Sequence, residues 1–246
     1  NGEADIFIWR LNSNGDLNWI KQIGSTLTDY GSSITATQPG ALYLTGHYEA
    51  LADFNPGAGV NNINANTALG DFFVLKLDTA GSYVWAYGIG SASEDYGTAI
   101  ETDPSGNVYV AGHFSGTVDF NPTAVIYNLS SAGSRDIFLM KFDPAGNYKW
   151  AFRIGTTFME SAYDMQIDNS ANLYLAGSYW LTVDFDPGAG EAILTAASNT
   201  EAYLAKYGAC CVSSTGSINA VVCDSYTSPS GNYTWLTSGT YNDTIT

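Results

Sequence analysis

Asp5-Ile-Phe-Ile-Trp-Arg10, Asp71-Phe-Phe-Val-Leu-Lys76 and Asp136-Ile-Phe-Leu-Met-Lys141 are three versions of one phrase, spaced 66 and 65 residues apart. Glu201-Ala-Tyr-Leu-Ala-Lys206 opens a fourth version 65 residues further on. Outward from the phrase, other landmarks keep the same step: Trp19, Trp85 and Trp150; Gly24, Gly90 and Gly155; Tyr43, Tyr109 and Tyr174; Gly46, Gly112 and Gly177; Asp53, Asp119 and Asp184. A fixed period marks one supersecondary unit that is copied and stacked, because a single unit cannot bury its apolar face alone. Positions that recur in this way serve packing first, which argues against a unique catalytic centre among them.

Within one period the chain reads as short strands. Residues 95–102 are β-prone, and Asp103-Pro-Ser-Gly-Asn107 is a turn, with Pro fixing φ and Gly accepting a positive φ. Val108–Phe114 is a second strand and Asp136–Phe142 a third, with Asp143-Pro-Ala-Gly-Asn147 turning the chain again. Thr117-Val-Asp-Phe120 and Ala124-Val-Ile-Tyr127 read as a small hairpin about Asn121-Pro122. In the fourth main strand Tyr148, Trp150, Phe152 and Ile154 alternate onto one face. No stretch carries a sustained helical period. Four short antiparallel strands per period make the blade of a β-propeller; a β-solenoid, the alternative, would not need a turn inside every strand pair. The expectation is an all-β chain of propeller blades, each a four-stranded antiparallel sheet, in an incomplete ring. Residues 1–24 supply the outer strands of a partial blade, 25–90 and 91–155 two whole blades, and 156–207 a partial blade. Residues 208–246 supply a linker and the start of a second small β-rich module.

Composition narrows the classes of function. The 246 residues are 45% hydrophobic and 14% aromatic, so the chain folds rather than staying disordered. Its 24 acidic against 8 basic residues give a formal net charge of −16, which repels nucleic-acid phosphates and anionic membranes. No apolar run approaches the roughly 20 residues of a membrane helix. The chain opens at Asn1 without an initiator Met and stops at Thr246 in the middle of a strand-like pattern, which reads as an internal piece of a longer protein. Cys210, Cys211 and Cys223 follow the repeats; they are either inert thiols or one disulfide to Cys223 with a spare, the second implying an oxidising compartment.

The run Gly-Asn-Val-Tyr-Val-Ala-Gly at 106–112, then Thr117-Val-Asp-Phe-Asn-Pro122, Asp136-Ile-Phe-Leu-Met-Lys141 and Gly146-Asn-Tyr-Lys-Trp150, resembles the bacterial "seven-bladed β-propeller" (SBBP) repeat family. The resemblance covers residues 5–207 and implies an exported, often multi-domain bacterial protein, with no catalytic residues to carry over. Residues 223–246 resemble the small β-rich modules near the C-termini of secreted Bacteroidetes proteins. The chain departs from the family name in supplying fewer blades than seven.

Candidate chemistry lies in few places. Asp53 with Asn55, Asp119 with Asn121, and Asp184 with Asp186 each place two oxygen-bearing side chains two residues apart beside a Pro turn. Hard cations such as Ca²⁺ want that oxygen supply, while Asp and Asn before Pro are also ordinary turn-formers. Arg10, Lys76, Lys141 and Lys206 share one repeat position and read as a repeated salt bridge to Asp29, Asp95 or Glu160 rather than as ligand contacts. His47 and His113 share a position that Ser178 fills in the next copy, which argues against a catalytic histidine. Glu94, Asp95, Glu160 and Asp164 are the carboxylates available for glycoside hydrolysis, but they recur as turn and blade contacts would. Trp180 breaks the symmetry where Glu49 and Ser115 stand, and reads either as packing or as a stacking platform for sugar. No nucleophile elbow, phosphate loop, zinc-protease or C-x-x-C motif is present. The sequence therefore points to a non-enzymatic extracellular or cell-surface module for adhesion, scaffolding, or protein or glycan binding. The alternative is the substrate-binding or structural portion of a larger secreted enzyme whose active site lies elsewhere.

Overall fold

A computed structural model describes residues 2–37, 40–66, 69–188 and 190–208, and the backbone of short strands between residues 218 and 241. The first two strands, β1 (Ile6–Leu11) and β2 (Leu17–Ile23), form an antiparallel pair. A four-stranded sheet follows, built from β3 (Tyr30–Ala36), β4 (Ala41–Tyr48), β7 (Asp71–Asp78) and β8 (Tyr83–Ile89) in that spatial order. A small hairpin of β5 (Leu51–Asp53) and β6 (Asn62–Asn64) is inserted between β4 and β7. The next period repeats the plan with β9 (Tyr96–Thr102), β10 (Val108–Phe114), β13 (Asp136–Phe142) and β14 (Tyr148–Ile154), and the hairpin β11 (Thr117–Asp119) with β12 (Asn128–Ser130). The last sheet has three strands, β15 (Ser161–Ile167), β16 (Leu173–Asp184) and β17 (Ile193–Tyr207), its hairpin merged into the long pair β16–β17. We call these sheets blades 1 to 4. Strand β3 packs against β9 and β9 against β15, so the first strand of each blade lies innermost. The sheets are β-propeller blades.

The strand of the repeated phrase explains the stacking. Its side chains alternate, and in the middle of a blade stack both faces are covered. Phe73, Leu75 and Leu77 of blade 2 pack with Ile6 and Ile8 of blade 1, whereas Phe72 and Val74 pack with Phe138, Met140 and Phe142 of blade 3. The tryptophans do the same job at successive seams: Trp19, Trp85 and Trp150 each pack against a different one of three seam cores. Trp85 lies 6.0 Å from Tyr43 and Trp150 lies 5.9 Å from Tyr109, ring centre to ring centre.

Two glycine positions are set by close approach. A Cβ on Gly46, Gly112 or Gly177 would overlap the carbonyl oxygen of Tyr30, Tyr96 or Ser161 and crowd the ring of Phe73, Phe138 or Tyr203. A Cβ on Gly24, Gly90 or Gly155 would collide with the side chain of Asp5, Asp71 or Asp136. The repeated acidic residue and the repeated glycine are thus two halves of one contact.

Two details differ from the sequence expectation. The outer strand carries a bulge at one repeat position: Arg10 pairs with Trp19 but Leu11 with Leu17, Lys76 with Trp85 but Leu77 with Tyr83, and Lys141 with Trp150 but Phe142 with Tyr148. The extra residue turns Tyr148 to the seam with blade 2, while Trp150, Phe152 and Ile154 face the seam with blade 4. Simple alternation over four residues therefore fails. The inserted hairpin also closes later than expected, with Asn128–Ser130 as its second strand. Asp119 Oδ1 accepts the N–H groups of Asn121 and Tyr127, at 3.1 and 2.8 Å, and this holds residues 121–127 as a loop that leaves Val125 and Ile126 exposed. Of the second module expected at 208–246, Ile218–Ala220 pairs with Gly239–Tyr241 and Tyr226–Thr227 with Thr234–Trp235. The three cysteines lie outside the described residues.

Candidate functional site

The end of β4, the start of β7, the end of β8 and the start of β9 come together at one end of the sheets, and the equivalents in the other blades join them. This loop face holds most of the candidate residues. Its framework is a set of buried carboxylates. Asp29, Asp95 and Glu160 occupy one repeat position and are all fully enclosed. Asp95 accepts the backbone N–H of Ser91 at 2.6 Å and of Ser115 at 3.1 Å. Asp29 accepts the N–H of Glu49 at 3.1 Å as well as that of Ser25, and Glu160 accepts the N–H of Thr156 at 2.7 Å. Each carboxylate thus ties the loop entering its blade to the backbone, and Asp29 and Asp95 also hold the loop leaving β4 or β10. Burial pushes Asp95 up to about 7 against the pull of its N–H donors, and raises Asp29 and Glu160 too.

The cationic position does not pair with those acids as expected. Arg10 Nη1 donates to the carbonyl of Thr79 and Lys76 Nζ to that of Pro144, each at 2.6 Å. The acceptors sit in the β7–β8 and β13–β14 turns, so each cation reaches across a seam to the next blade. The ammonium groups of Lys76, Lys141 and Lys206 also stand 5.2, 5.2 and 5.3 Å from the ring centres of Tyr43, Tyr109 and Tyr174. The acids are out of reach: Asp29 and Asp95 sit beside the start of the repeated phrase, next to Ala4 and Gly70, whereas Arg10 and Lys76 stand five residues further along the strand, and sequence spacing carries no sign of that.

Both histidines belong to one seam. His47 stacks on Tyr96 at 4.2 Å, and its Nδ1 lies 3.2 Å from the Asp95 carbonyl oxygen. Tyr96 in turn lies 5.2 Å from His113, whose Nε2 is 3.4 Å from Arg135 Nη1. Burial, then the Arg135 charge, push His113 down to about 4, so its imidazole is neutral near pH 7. Ser178 at the same position accepts or donates a 2.9 Å hydrogen bond with Tyr163. Of the four carboxylates considered for hydrolysis, Asp95 and Glu160 are buried in different blades, and Glu94 and Asp164 are exposed.

The three oxygen pairs fold identically. Asp53 Oδ1 accepts the N–H of Asn55 and Asn61, Asp119 Oδ1 those of Asn121 and Tyr127, and Asp184 Oδ1 those of Asp186 and Ala192. Asn55, Asn121 and Asp186 then accept the N–H two residues on. Each pair belongs to its own blade. Among the described residues, no group of three or more His, Cys, Asp or Glu gathers in a way that could hold a metal ion. A cation in one of these loops would have to draw its remaining oxygens from backbone carbonyls.

Trp180 is half-buried and stacks on Phe158, with centroids 6.4 Å apart and planes inclined by 12°. Its neighbours Phe158, Met159 and Leu181 are exposed and were missed in the sequence reading. The signal was present: aligning the repeats sets Phe158 and Met159 against Leu27 and Thr28 or Ser93 and Glu94.

No family model matches the chain. It is 25% identical over 223 residues to an uncharacterized WD repeat-containing protein of Acanthamoeba polyphaga mimivirus, covering 80% of this chain and 16% of the relative. It is 26% identical over 154 residues to the regulatory protein FlaEY of Caulobacter vibrioides, covering 62% of this chain and 16% of that relative. The chain therefore spans about one sixth of the length of these curated relatives. The first likeness accords with the propeller architecture.

Proposed function

We propose that this chain is a non-enzymatic binding or scaffold segment of a larger exported bacterial protein, of the SBBP-like propeller kind, and that it offers its loop face to a protein partner outside the cell. One observation carries the reading. The groups that would do chemistry are occupied by the fold: Asp29, Asp95 and Glu160 by backbone N–H groups, and His47 and His113 by a seam stack. A hydrolytic site needs a nucleophile or paired carboxylates, a base and an oriented donor sharing one cleft. The acidic composition and the motif resemblance support export. The descriptions of the two relatives, one a WD repeat-containing protein and the other a regulatory protein, fit a binding role.

The test is a scan of loop-face substitutions in the full-length protein, read by crosslinking to extracellular partners and by turnover of polysaccharide and peptide libraries. Loss of a specific crosslink with no turnover in any variant is the expected result. Turnover abolished by one point change between residues 5 and 207 would overturn the reading.

A further inference from the structure

Blade 4 stops one strand short, and the sequence that follows does not supply the strand. In blades 1, 2 and 3 the repeated phrase leads within a few residues into a fourth strand, β2, β8 or β14, which pairs with β1, β7 or β13. Its landmarks are a tryptophan nine positions after the cation, at Trp19, Trp85 and Trp150, and the pairs Ile23-Gly24, Ile89-Gly90 and Ile154-Gly155. After Lys206 the same places hold Thr215 and Asn219-Ala220. The backbone agrees: Ile218–Ala220 pairs with Gly239–Tyr241, not with β17. Among the described residues, β17 carries β16 on one side and no strand on the other.

The open edge is already shaped for that strand. In blades 2 and 3 the tryptophan lies opposite the cation, Trp85 opposite Lys76 and Trp150 opposite Lys141, and beside the tyrosine under that cation, Tyr43 or Tyr109. Blade 4 holds the other two members in the same arrangement: Lys206 Nζ stands 5.3 Å from the centre of the Tyr174 ring, against 5.2 Å in blades 2 and 3. At the far end of the edge, Glu201 accepts the N–H of Ala197 at 2.9 Å, as Asp136, which packs on Gly155, accepts that of Ala132 at 2.9 Å. An open row of N–H and C=O groups templates the addition of a strand, and the side-chain seats along it set which strand.

We propose that the outer edge of β17, from Glu201 to Tyr207, is a strand-acceptor site for an extended segment of the type (Leu/Tyr)-x-Trp-x-x-x-Ile-Gly. The segment docks antiparallel, with its tryptophan at Lys206 and Tyr174 and its isoleucine opposite Ala202. That register is the one of Lys141 with Trp150 and Ile137 with Ile154. Blade 4 is thereby completed by a stretch of polypeptide that is not contiguous with it. A second copy of the chain is the less suited donor, because β2, β8 and β14 are each engaged by their own blade, and releasing one would open the donor. The donor is a further strand of this type in the larger protein to which the reading above assigns the chain, and only the donor's source rests on that reading.

The experiment keeps the native chain throughout and varies the ligand, so the folding of a variant is not at issue. The probe is a synthetic peptide with the sequence of residues 146–155, Gly-Asn-Tyr-Lys-Trp-Ala-Phe-Arg-Ile-Gly, with a photoreactive residue in place of its alanine. One control peptide has serine for tryptophan, and another has the second-strand sequence of residues 106–114. The tryptophan peptide is expected to bind the chain and to crosslink within residues 201–207. Serine for tryptophan is expected to lower its affinity at least about tenfold, the scale of one anchor side chain. The full-length protein, whose edge is covered, is expected not to take up the peptide. No binding, crosslinks confined to other strands, or equal binding of either control peptide would overturn the acceptor site. Uptake by the full-length protein equal to that by the chain, or a dimer of the chain that the peptide splits, would overturn the donor. The binding role put forward above fails on turnover, which this experiment does not read, so the two failures are distinguishable.

Discussion

Phe138 and Phe7 stand at the same place in the repeated phrase and live in different surroundings. Phe138 is 0% exposed at the seam of blades 2 and 3, with Phe72 at 4.4 Å and Phe120 at 5.2 Å. Phe7, on the outer flank of blade 1, is 62% exposed, and Trp9 beside it is 59% exposed. At the other end Leu204 is 74% exposed, although its equivalents Val74 and Leu139 are buried. The phrase specifies a strand that is apolar on both faces. Whether either face is buried depends on the neighbouring blade. Exposure at the flanks is therefore the normal state of a propeller strand without its neighbour.

That contrast can be broken most directly at its centre. Phe138→Ala is expected to cost about 3–5 kcal/mol, the range for deleting a buried aromatic ring, while Phe7→Ala should stay within about 0.5 kcal/mol. Chemical denaturation of both variants compares them. Similar losses would mean that the two positions are not distinguished by burial. Next in size is Gly112→Ala, where the added methyl would meet the Tyr96 carbonyl and the Phe138 ring. Overpacking there should cost about 1–3 kcal/mol, seen as a lower denaturation midpoint; an unchanged midpoint would show that the strands can separate freely.

A pH scan sharpens the same seam. Asp95 titrates near 7 in the fold, above its unfolded value of 3.8, so the folded state holds the proton more tightly. Its contribution is present below about pH 3.8 and is lost as pH rises through about 7. Asp29, Asp71 and Glu160, also raised by burial, act in the same direction. His113, depressed from 6.5 to about 4, opposes them, favouring unfolding as pH falls from 6.5 towards 4. Between pH 5 and pH 7.5 Asp95 and His113 therefore pull in opposite directions, and the variant separates them: with Asp95→Asn the loss on raising pH disappears, so the Tm of the variant is expected to rise relative to that of the native chain as pH goes from 5 to 7.5. A Tm difference between variant and native chain that stays constant over that range would contradict the assignment.

The smallest contrast concerns the cations. Lys76→Met removes the 2.6 Å bond to Pro144 across the seam and should cost about 1 kcal/mol. Lys206→Met, in the outermost described strand of blade 4, should cost less than about 0.5 kcal/mol. Equal effects would mean that the cross-seam bond contributes nothing beyond the ring contact.

Much of the architecture was legible because it rests on local and periodic signals. Strands Val108–Phe114, Asp136–Phe142 and Tyr148–Ile154 follow from alternation bounded by Asp-Pro-x-Gly-Asn turns. The phase of Tyr148 was not legible, since a bulge is fixed by pairing with a partner strand. The second strand of the small hairpin was misplaced because Asp119 reaches forward eight residues to Tyr127. Of the candidate site, the Asp-x-(Asn/Asp) loops and the odd Trp180 could be named in advance. The grouping of Phe158, Met159 and Leu181 around it could not, because those residues lie more than twenty positions away or beside it without a period.

By itself, the sequence determined the repeat, the strand type, the turn chemistry and the two-sided apolar character of the phrase, all consequences of short-range sterics and side-chain alternation. Tertiary structure decided which faces are covered, which partner each charge takes and which side chains meet. Asp95 illustrates the division. Its carboxylate is any acidic residue in the chain text, and only the packing of its loop beside Gly70 gives it to the Ser91 and Ser115 amides and sets it at the opposite end of the sheet from Lys76. Burial and hydrogen-bond partnership belong to the packed arrangement, because desolvation depends on every neighbour at once.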